Sequence, residues 1–368
     1  MKKRINILCV LLAICLCLSA FAGCGSTEKT AAPAAPAAPE AEAPAAEAPA
    51  AEGESAKTIA PVTIKLGHCD AEDVNDSNHN YATAFKDYCA ELSGGAITIE
   101  IYGNQQLGGE LDMMEQIQLG TLDMMNMTNV NIASFFSGTM LFDLPYFFKD
   151  ADAAFYLIDS ELGQKVLANF EAASGIKTLS TGYAGFRQTY NNVRPISEPE
   201  DVKGMKLRVP GSNLYIAAFE SLGANPAPLA WTETFTAVQQ GVMDGLECPL
   251  TVCYNSGIYD FTKYASLTNH TFSCLQQVIS VELWNSLDAD QQAIIQEASR
   301  KAATDQRAFI RGNEAKYVEM LKEKGMEVTE INYEAFRELA STCWGDFSKE
   351  IGADILEEAI ALMEDYTG

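Results

Sequence analysis

Between Val62 and Thr181 the spacing of apolar residues switches repeatedly between a period of two and a period of three to four, and this restricts the fold more than any other feature of the chain. Val62-Thr-Ile-Lys-Leu-Gly67 alternates apolar and polar side chains as a half-covered strand does. From Asn80 to Leu92, Tyr81, Ala84, Phe85, Tyr88 and Leu92 then recur at helical spacing before Gly94-Gly95. The same reading predicts strands at Ile97 to Tyr102, Leu122 to Met127 and Ile176 to Thr181, with helices at Gly109 to Gly120 and Ala151 to Ala173 between them. Alternation of this kind specifies an α/β fold with a mainly parallel sheet. Further along, a strand is expected at Met205 to Val209 and helices at Asn213 to Leu222 and Trp231 to Gly241. The rest is read as helical from Asp288 to about Lys324 and again from Tyr333 onward. At 368 residues there is chain enough for about two such domains.

The N-terminus has a different character. Lys2, Lys3 and Arg4 precede an uncharged apolar run from Ile7 to Ala22, shorter than the ~20 residues that span a bilayer as a helix, so residues 1–23 read as a signal peptide. The run ends Phe21-Ala22-Gly23-Cys24, which resembles the lipobox of bacterial lipoproteins. That resemblance implies that Cys24 carries acyl chains and holds the protein to the outer face of the cytoplasmic membrane; an ordinary signal peptide with a chance cysteine is the alternative. Residues 24–57 are dominated by Ala-Ala-Pro and Ala-Pro-Ala-Glu units with no aromatic residue, a tether reaching roughly 100 Å if drawn out as polyproline II.

With 25 Lys+Arg against 50 Asp+Glu the chain carries a net charge of −25 and has no basic stripe, which excludes nucleic acid as a partner. Beyond Cys24 six cysteines remain: Cys69, Cys89, Cys248, Cys253, Cys274 and Cys343. None forms a C-x-x-C pair, so free thiols are expected rather than a disulfide framework or a zinc site; no metal and no cofactor are implied.

In an open α/β sheet the ligand crevice is lined by loops at the carboxyl ends of the strands. Here these are Gly67-His68, Asn104 to Glu110, Thr128 to Asn131, Gly182 to Gln188 and Arg208 to Ser212. Several carry recognisable words: Gln106-Leu-Gly-Gly-Glu110, Gln118-Leu-Gly-Thr-Leu-Asp123, Asp143-Leu-Pro-Tyr-Phe147, Gly185-Phe-Arg187, Pro199-Glu-Asp-Val-Lys-Gly204 and Lys206-Leu-Arg-Val-Pro210. Leu222-Gly-Ala-Asn-Pro226, Thr234 to Gly241 and Val242-Met-Asp-Gly-Leu-Glu247 continue the series. Together they resemble the extracytoplasmic solute-binding proteins of TRAP transporters, the DctP type, over nearly all of residues 60–330.

The resemblance implies a two-lobed, periplasmic-binding-protein-like (type II) clamshell with hinge strands and a long helix across both lobes. Lobe I would comprise residues 58–184 plus 273–312, and lobe II residues 185–272 plus 313–368. The long helix fits Asp288 to Lys324, with Ile294, Ile295, Ala298, Ala302, Phe309 and Tyr317 on its apolar face. Such a protein is not an enzyme: it binds a small organic acid, a sugar acid such as a uronate or aldonate or a C4-type dicarboxylate, and delivers it to the small and large TRAP integral membrane subunits.

By the same resemblance Arg208, emerging at a strand end before Pro210, holds the ligand carboxylate; its guanidinium fork meets two oxygens at once. The alternative is an arginine paired with a surface acid. Arg187 matches a second arginine that contacts the acid or braces the closed form, and Glu110 a position that either touches ligand or supports its loop. Trp231 would wall the carbon skeleton, or pack as core. Thr128, Asn129 and Asn131 would read hydroxyls, or cap their loop. His68 is expected near the cleft, whereas Asn78 and His79 read as caps at the start of the next helix. The main departure is Leu246-Glu247-Cys248-Pro249, where the family pattern has asparagine in place of Cys248. This puts a weak thiol donor where an amide is usual and leaves the substrate open. Two other functions remain: a binding protein for an ABC importer or sensor, and a surface-tethered thiol enzyme using Cys248 with His68, His79 or His270.

Overall fold

The structure, a computed structural model, describes residues 59–367. The signal peptide, Cys24 and the tether lie outside the described residues.

Ten strands are present among the described residues: β1 (Val62–Gly67), β2 (Ile97–Tyr102), β3 (Met124–Thr128), β4 (Ile176–Asn191), β5 (Lys206–Val209), β6 (Asn225–Pro228), β7 (Gly245–Pro249), β8 (Tyr264–Leu267), β9 (Phe272–Ser280) and β10 (Glu327–Glu330). They run β2-β1-β3-β9-β4-β7-β5-β6, with β8 on β4 and β10 on β8. At one end β1 pairs parallel with β2 and β3; at the other β5 pairs parallel with β6 and β7. Between these groups the ladders β3–β9, β9–β4 and β4–β7 are antiparallel. The parallel sheet expected from the α/β alternation is therefore two parallel halves joined by antiparallel crossing strands. The alternation reports only strands whose neighbours come through a helical crossover, whereas β4 and β9 pass from one half to the other.

β4 is the longest strand, continuing ten residues beyond the predicted end at Thr181. Its residues Ile176 to Phe186 pair with β9, and Arg187 to Asn191 with β7. The ladder to β9 shifts register between Tyr183 and Gly185, where Gly185 takes φ 109°, a conformation that disfavours any side chain. On the second half Gly245 opens β7 because a Cβ there would come within 2.1 Å of the Tyr190 carbonyl oxygen.

Each half is covered by its own helices. The helix Ser77–Ser93 is capped by the Asp76 side chain, which accepts from the backbone N–H groups of Asn78 and His79, so these two residues lie in the first turn and are capped rather than capping. It buries Tyr81, Phe85 and Cys89 with Ile64 and Leu66 of β1. On the other half Leu207 and Val209 of β5 pack with Tyr215 and Phe219 of the helix Asn213–Ser221 and with Phe336. The single helix expected from Ala151 to Ala173 is two, Ala151–Ile158 and Glu161–Ser174, because Ser160 turns its hydroxyl back to the Gly163 N–H and starts a new helix.

The helix Ala289–Glu323 is 35 residues long, about 52 Å, and starts in a capping box of Asp288 and Gln291. Its Ile295, Ala298 and Ala302 bury against the first half, and Tyr317 and Leu321 against the second. Midway, Gln306 is fully buried, accepting from the Tyr183 N–H and donating to the carbonyls of Tyr183 and Ser77. Beside it Ile310 is fully buried, and the expected Phe309 packs against the same cluster while only partly buried. No helix among the described residues is long and apolar enough to cross a membrane.

Candidate functional site

A cavity of about 350 Å³ lies where the two sheet halves meet, within the size range of small-molecule sites. Its wall is drawn from loops after β1, β2, β3, β5 and β6, from the end of β7, and from the crossing strands β4 and β9. Of the predicted residues, Arg208, Arg187, Trp231, Cys248, Glu110, Thr128 and Asn131 line it.

Arg208 stands in β5, with Ala227 of β6 and Leu246 of β7 as its register partners. Pro210 then ends the strand. The guanidinium is 4% exposed, and its Nε and Nη2 donate to the Leu229 carbonyl at 3.0 and 2.7 Å. Nη1 is 4.0 Å from Glu247 Oε1, an ion pair without a hydrogen bond. Two of its five N–H donors are thus engaged, and the other three have no hydrogen bond among the described residues. The Trp231 ring, half-buried, lies 5.5 Å from the guanidinium. Burial lowers the Arg208 pKa to about 10 despite the attraction of Glu247, and the group stays charged at neutral pH.

Arg187 is held differently. Cross-strand pairing of β4 with β7 sets it beside Glu247, which it meets with two hydrogen bonds, Nε to Oε2 and Nη2 to Oε1. Nη1 reaches Ser273 Oγ at 3.4 Å, and the guanidinium lies 5.5 Å from the Tyr215 ring. Burial alone would lower its pKa; the Glu247 carboxylate reverses the direction. Burial would equally raise Glu247, but Arg187 and the hydrogen bond from His270 hold it at about 2. His270 itself is pushed down by burial and is neutral, with Nδ1 on Thr268.

Glu110, Thr128 and Asn131 form one unit. The Glu110 carboxylate accepts from the Thr128 N–H at 3.0 Å, the Thr128 hydroxyl at 2.6 Å and the Asn131 amide. Desolvation pushes Glu110 up to about 7. Of the two roles expected for Glu110, loop support is the one these bonds display.

Asn129 and His68 do not line the cavity. Asn129 begins a short helix, Asn129–Ile132, in which residues two apart face opposite ways. Asn131 therefore reaches the cavity while Asn129 points inward and donates to Thr139 O and Asp143 Oδ2. His68 is fully buried, with Nε2 on His79 Nδ1 at 3.0 Å, and burial lowers its pKa to about 3. The next residues, Cys69 and Asp70, take the cavity position that was expected of it. Sequence reasoning had the right loop and missed Asp70, as it missed the contributions of β9, Ser273 and Leu275.

Cys248 lines the cavity at 1% exposure, and burial pushes its thiol well up, away from the thiolate a nucleophile needs. All six described cysteines are free and buried. Among the described residues no group of three or more His, Cys, Asp or Glu is placed to hold a metal ion.

The arrangement is two buried arginines and an aromatic wall between two sheet halves joined by crossing strands, and comparison with known proteins gives it a family. Residues 68–350 match the family of bacterial extracellular solute-binding proteins, family 7, the DctP family. The sialic acid-binding periplasmic protein SiaP of Vibrio cholerae is 30% identical over 308 residues, covering 84% of this chain and 95% of that protein. A TRAP periplasmic solute-binding protein from Bordetella bronchispeptica, with density assigned to pantoate, superposes with a TM-score of 0.78 at 32% identity, covering 81% of this chain and 98% of the other. The sugar acid-binding protein DctPAm of Advenella mimigardefordensis, solved with galactonate, gives 0.79 at 27% identity, with 83% and 99% covered. The chain belongs to the DctP family of TRAP extracytoplasmic solute-binding proteins, with their two-lobed type II fold. It is a binding protein rather than an enzyme.

Proposed function

We propose that the chain is a lipid-anchored extracytoplasmic receptor that takes a small carboxylate into the cavity between its lobes and hands it to TRAP integral membrane subunits. The observation that carries this reading is the Arg208 guanidinium. It is almost fully buried, fixed in orientation by the Leu229 carbonyl, and lacks a hydrogen-bonded carboxylate of its own. A buried cation held in this way calls for an anion, and a carboxylate satisfies it bidentately. Sialic acid, pantoate and galactonate, the ligands of the compared proteins, are carboxylic acids and support the same class.

In this reading lobe I is residues 58–184 plus 273–312 and lobe II residues 185–272 plus 313–368; the positive φ of Gly185 and the start of β9 at Phe272 favour those boundaries. Trp231 and Cys248 flank the carbon skeleton, Arg187 braces the closed cleft through Glu247, and Cys24 with the tether keeps the receptor at the membrane that holds its permease. A thermal-shift screen against uronates, aldonates, sialic acid, dicarboxylates and keto acids tests the function. A ligand at 100 times its dissociation constant stabilises the native state by about 2.7 kcal/mol. A screen in which neutral sugars or amino acids stabilise the protein and no carboxylate does would overturn the reading.

A further inference from the structure

The charges around the cavity do not balance symmetrically. Its cationic lining residues, among those described, are Arg187 and Arg208; its acidic ones are Asp70, Glu110, Asp112 and Glu233. Glu247, behind the wall, forms a two-point ion pair with Arg187 and stands 4.0 Å from Arg208. The His270 imidazole on Glu247 is neutral, so this inner group of two arginines and one glutamate carries a single net positive charge, concentrated at Arg208.

Away from that group the wall turns acidic and apolar. Asp70, 9% exposed, uses Oδ2 to accept from Asn78 Nδ2 at 2.7 Å and forms no ion pair within 4 Å among the described residues; burial raises its pKa against the opposing pull of that hydrogen bond and of Arg187. Thr128 and Asn131 commit their donors to both Glu110 oxygens, and that unit contains no cation to meet a second carboxylate. Val130, Val252 and Leu275 fill much of the remaining surface.

From this asymmetry we infer that the cavity accepts a ligand with one carboxylate and an uncharged remainder, and that Asp70 is a specificity-determining residue that rejects a second carboxylate. This rests on the carboxylate-receptor reading and narrows it, since it separates monocarboxylates from C4-type dicarboxylates. The first carboxylate neutralises the net charge of the arginine group. A second would have to enter a low-dielectric space beside Asp70, whose burial already disfavours its charge, so it is penalised either by repulsion between the two carboxylates or by the cost of protonating one of them. A hydroxyl or carbonyl at that end meets no such penalty, and a hydroxyl can donate to Asp70.

The test uses the full chain and three chain-matched pairs that differ in charge at one end: erythronate with tartrate, galactonate with galactarate, and butyrate with succinate. Calorimetric titration at about pH 8, where each diacid is doubly ionised, is run on the wild type and on Asp70→Asn, with folding checked by circular dichroism. The expected result is binding of at least one monoacid, its diacid partner weaker by about tenfold or more, and a gap narrowed by about tenfold in Asp70→Asn. A diacid that binds as tightly as its monoacid overturns the inference and leaves the carboxylate receptor standing. A gap unchanged in folded Asp70→Asn removes the role of Asp70. Failure of every acid overturns both readings. If Asp70→Asn does not fold, the wild-type ratio alone decides whether one carboxylate or two are accepted.

Discussion

Replacing Arg208 with alanine should abolish most ligand affinity while leaving the unliganded protein as stable as before, or more so. Burial lowers the pKa of this guanidinium from an ordinary 12.5 to about 10, which at 1.36 kcal/mol per pKa unit puts the unfavourable environment of the charge at about 3 kcal/mol. That cost is carried by the unliganded receptor and relieved when a carboxylate arrives. Removing one partner of a buried, hydrogen-bonded charge pair costs ~2–5 kcal/mol in binding, or roughly 30-fold to several thousand-fold in affinity. Arg208→Lys keeps the charge but loses the paired geometry and should recover only part of it. Calorimetry with the tightest acid from the thermal screen, alongside denaturant unfolding of wild type, Arg208→Ala and Arg208→Lys, measures both effects. Binding by Arg208→Ala within about threefold of wild type, near 0.7 kcal/mol, would refute the reasoning and place the carboxylate elsewhere.

Four further outcomes follow from burial and from the N-terminal sequence. Asp143, 3% exposed, is raised by burial to about 7. The unfolded chain therefore ionises first as pH rises, and this group removes up to about 4 kcal/mol of stability between pH 4 and 7. Urea unfolding at several pH values should show that fall shrinking in Asp143→Asn, and an unchanged profile would contradict the assignment. The six free cysteines are buried, with thiols shifted upward mainly by desolvation, so a thiol reagent at neutral pH should label the native protein slowly and the denatured protein at all six; fast native labelling at Cys248 would revive the thiol-enzyme alternative. Mass spectrometry of the mature protein should find acylated Cys24 at its N-terminus, and deletion of Ala31 to Glu54 should leave affinity in solution unchanged; an unmodified start elsewhere would remove the anchor.

The sequence revealed the elements whose periodicity is imposed by one covered face. β1 and the helix Ser77–Ser93 alternate or repeat cleanly because one side of each meets solvent. The crossing strands were hidden for the opposite reason. β9, Phe-Ser-Cys-Leu-Gln-Gln-Val-Ile-Ser, is buried at every position and so has no alternation to read. Gly182 and Gly185, which look like turn residues, hide the continuation of β4 beyond Thr181, while the structure uses Gly185 for a register shift within a continuing strand. In the site, strand-end loops identified the right segments, but which neighbour turns inward depends on local backbone geometry. That is why Asn131 and Asp70 line the cavity where Asn129 and His68 do not. The ion pair of Arg187 with Glu247 joins residues 60 positions apart through the β4–β7 register, which no local pattern encodes.

A crystal structure of the protein with its tightest-binding acid tests the central claim most directly. The account predicts the carboxylate against Arg208, both of its oxygens within hydrogen-bond distance of the guanidinium, the carbon skeleton beside Trp231 and Cys248, and the Arg187–Glu247 pair intact behind it. A ligand bound outside this cavity, or one seated in it with its carboxylate turned away from Arg208, would contradict it.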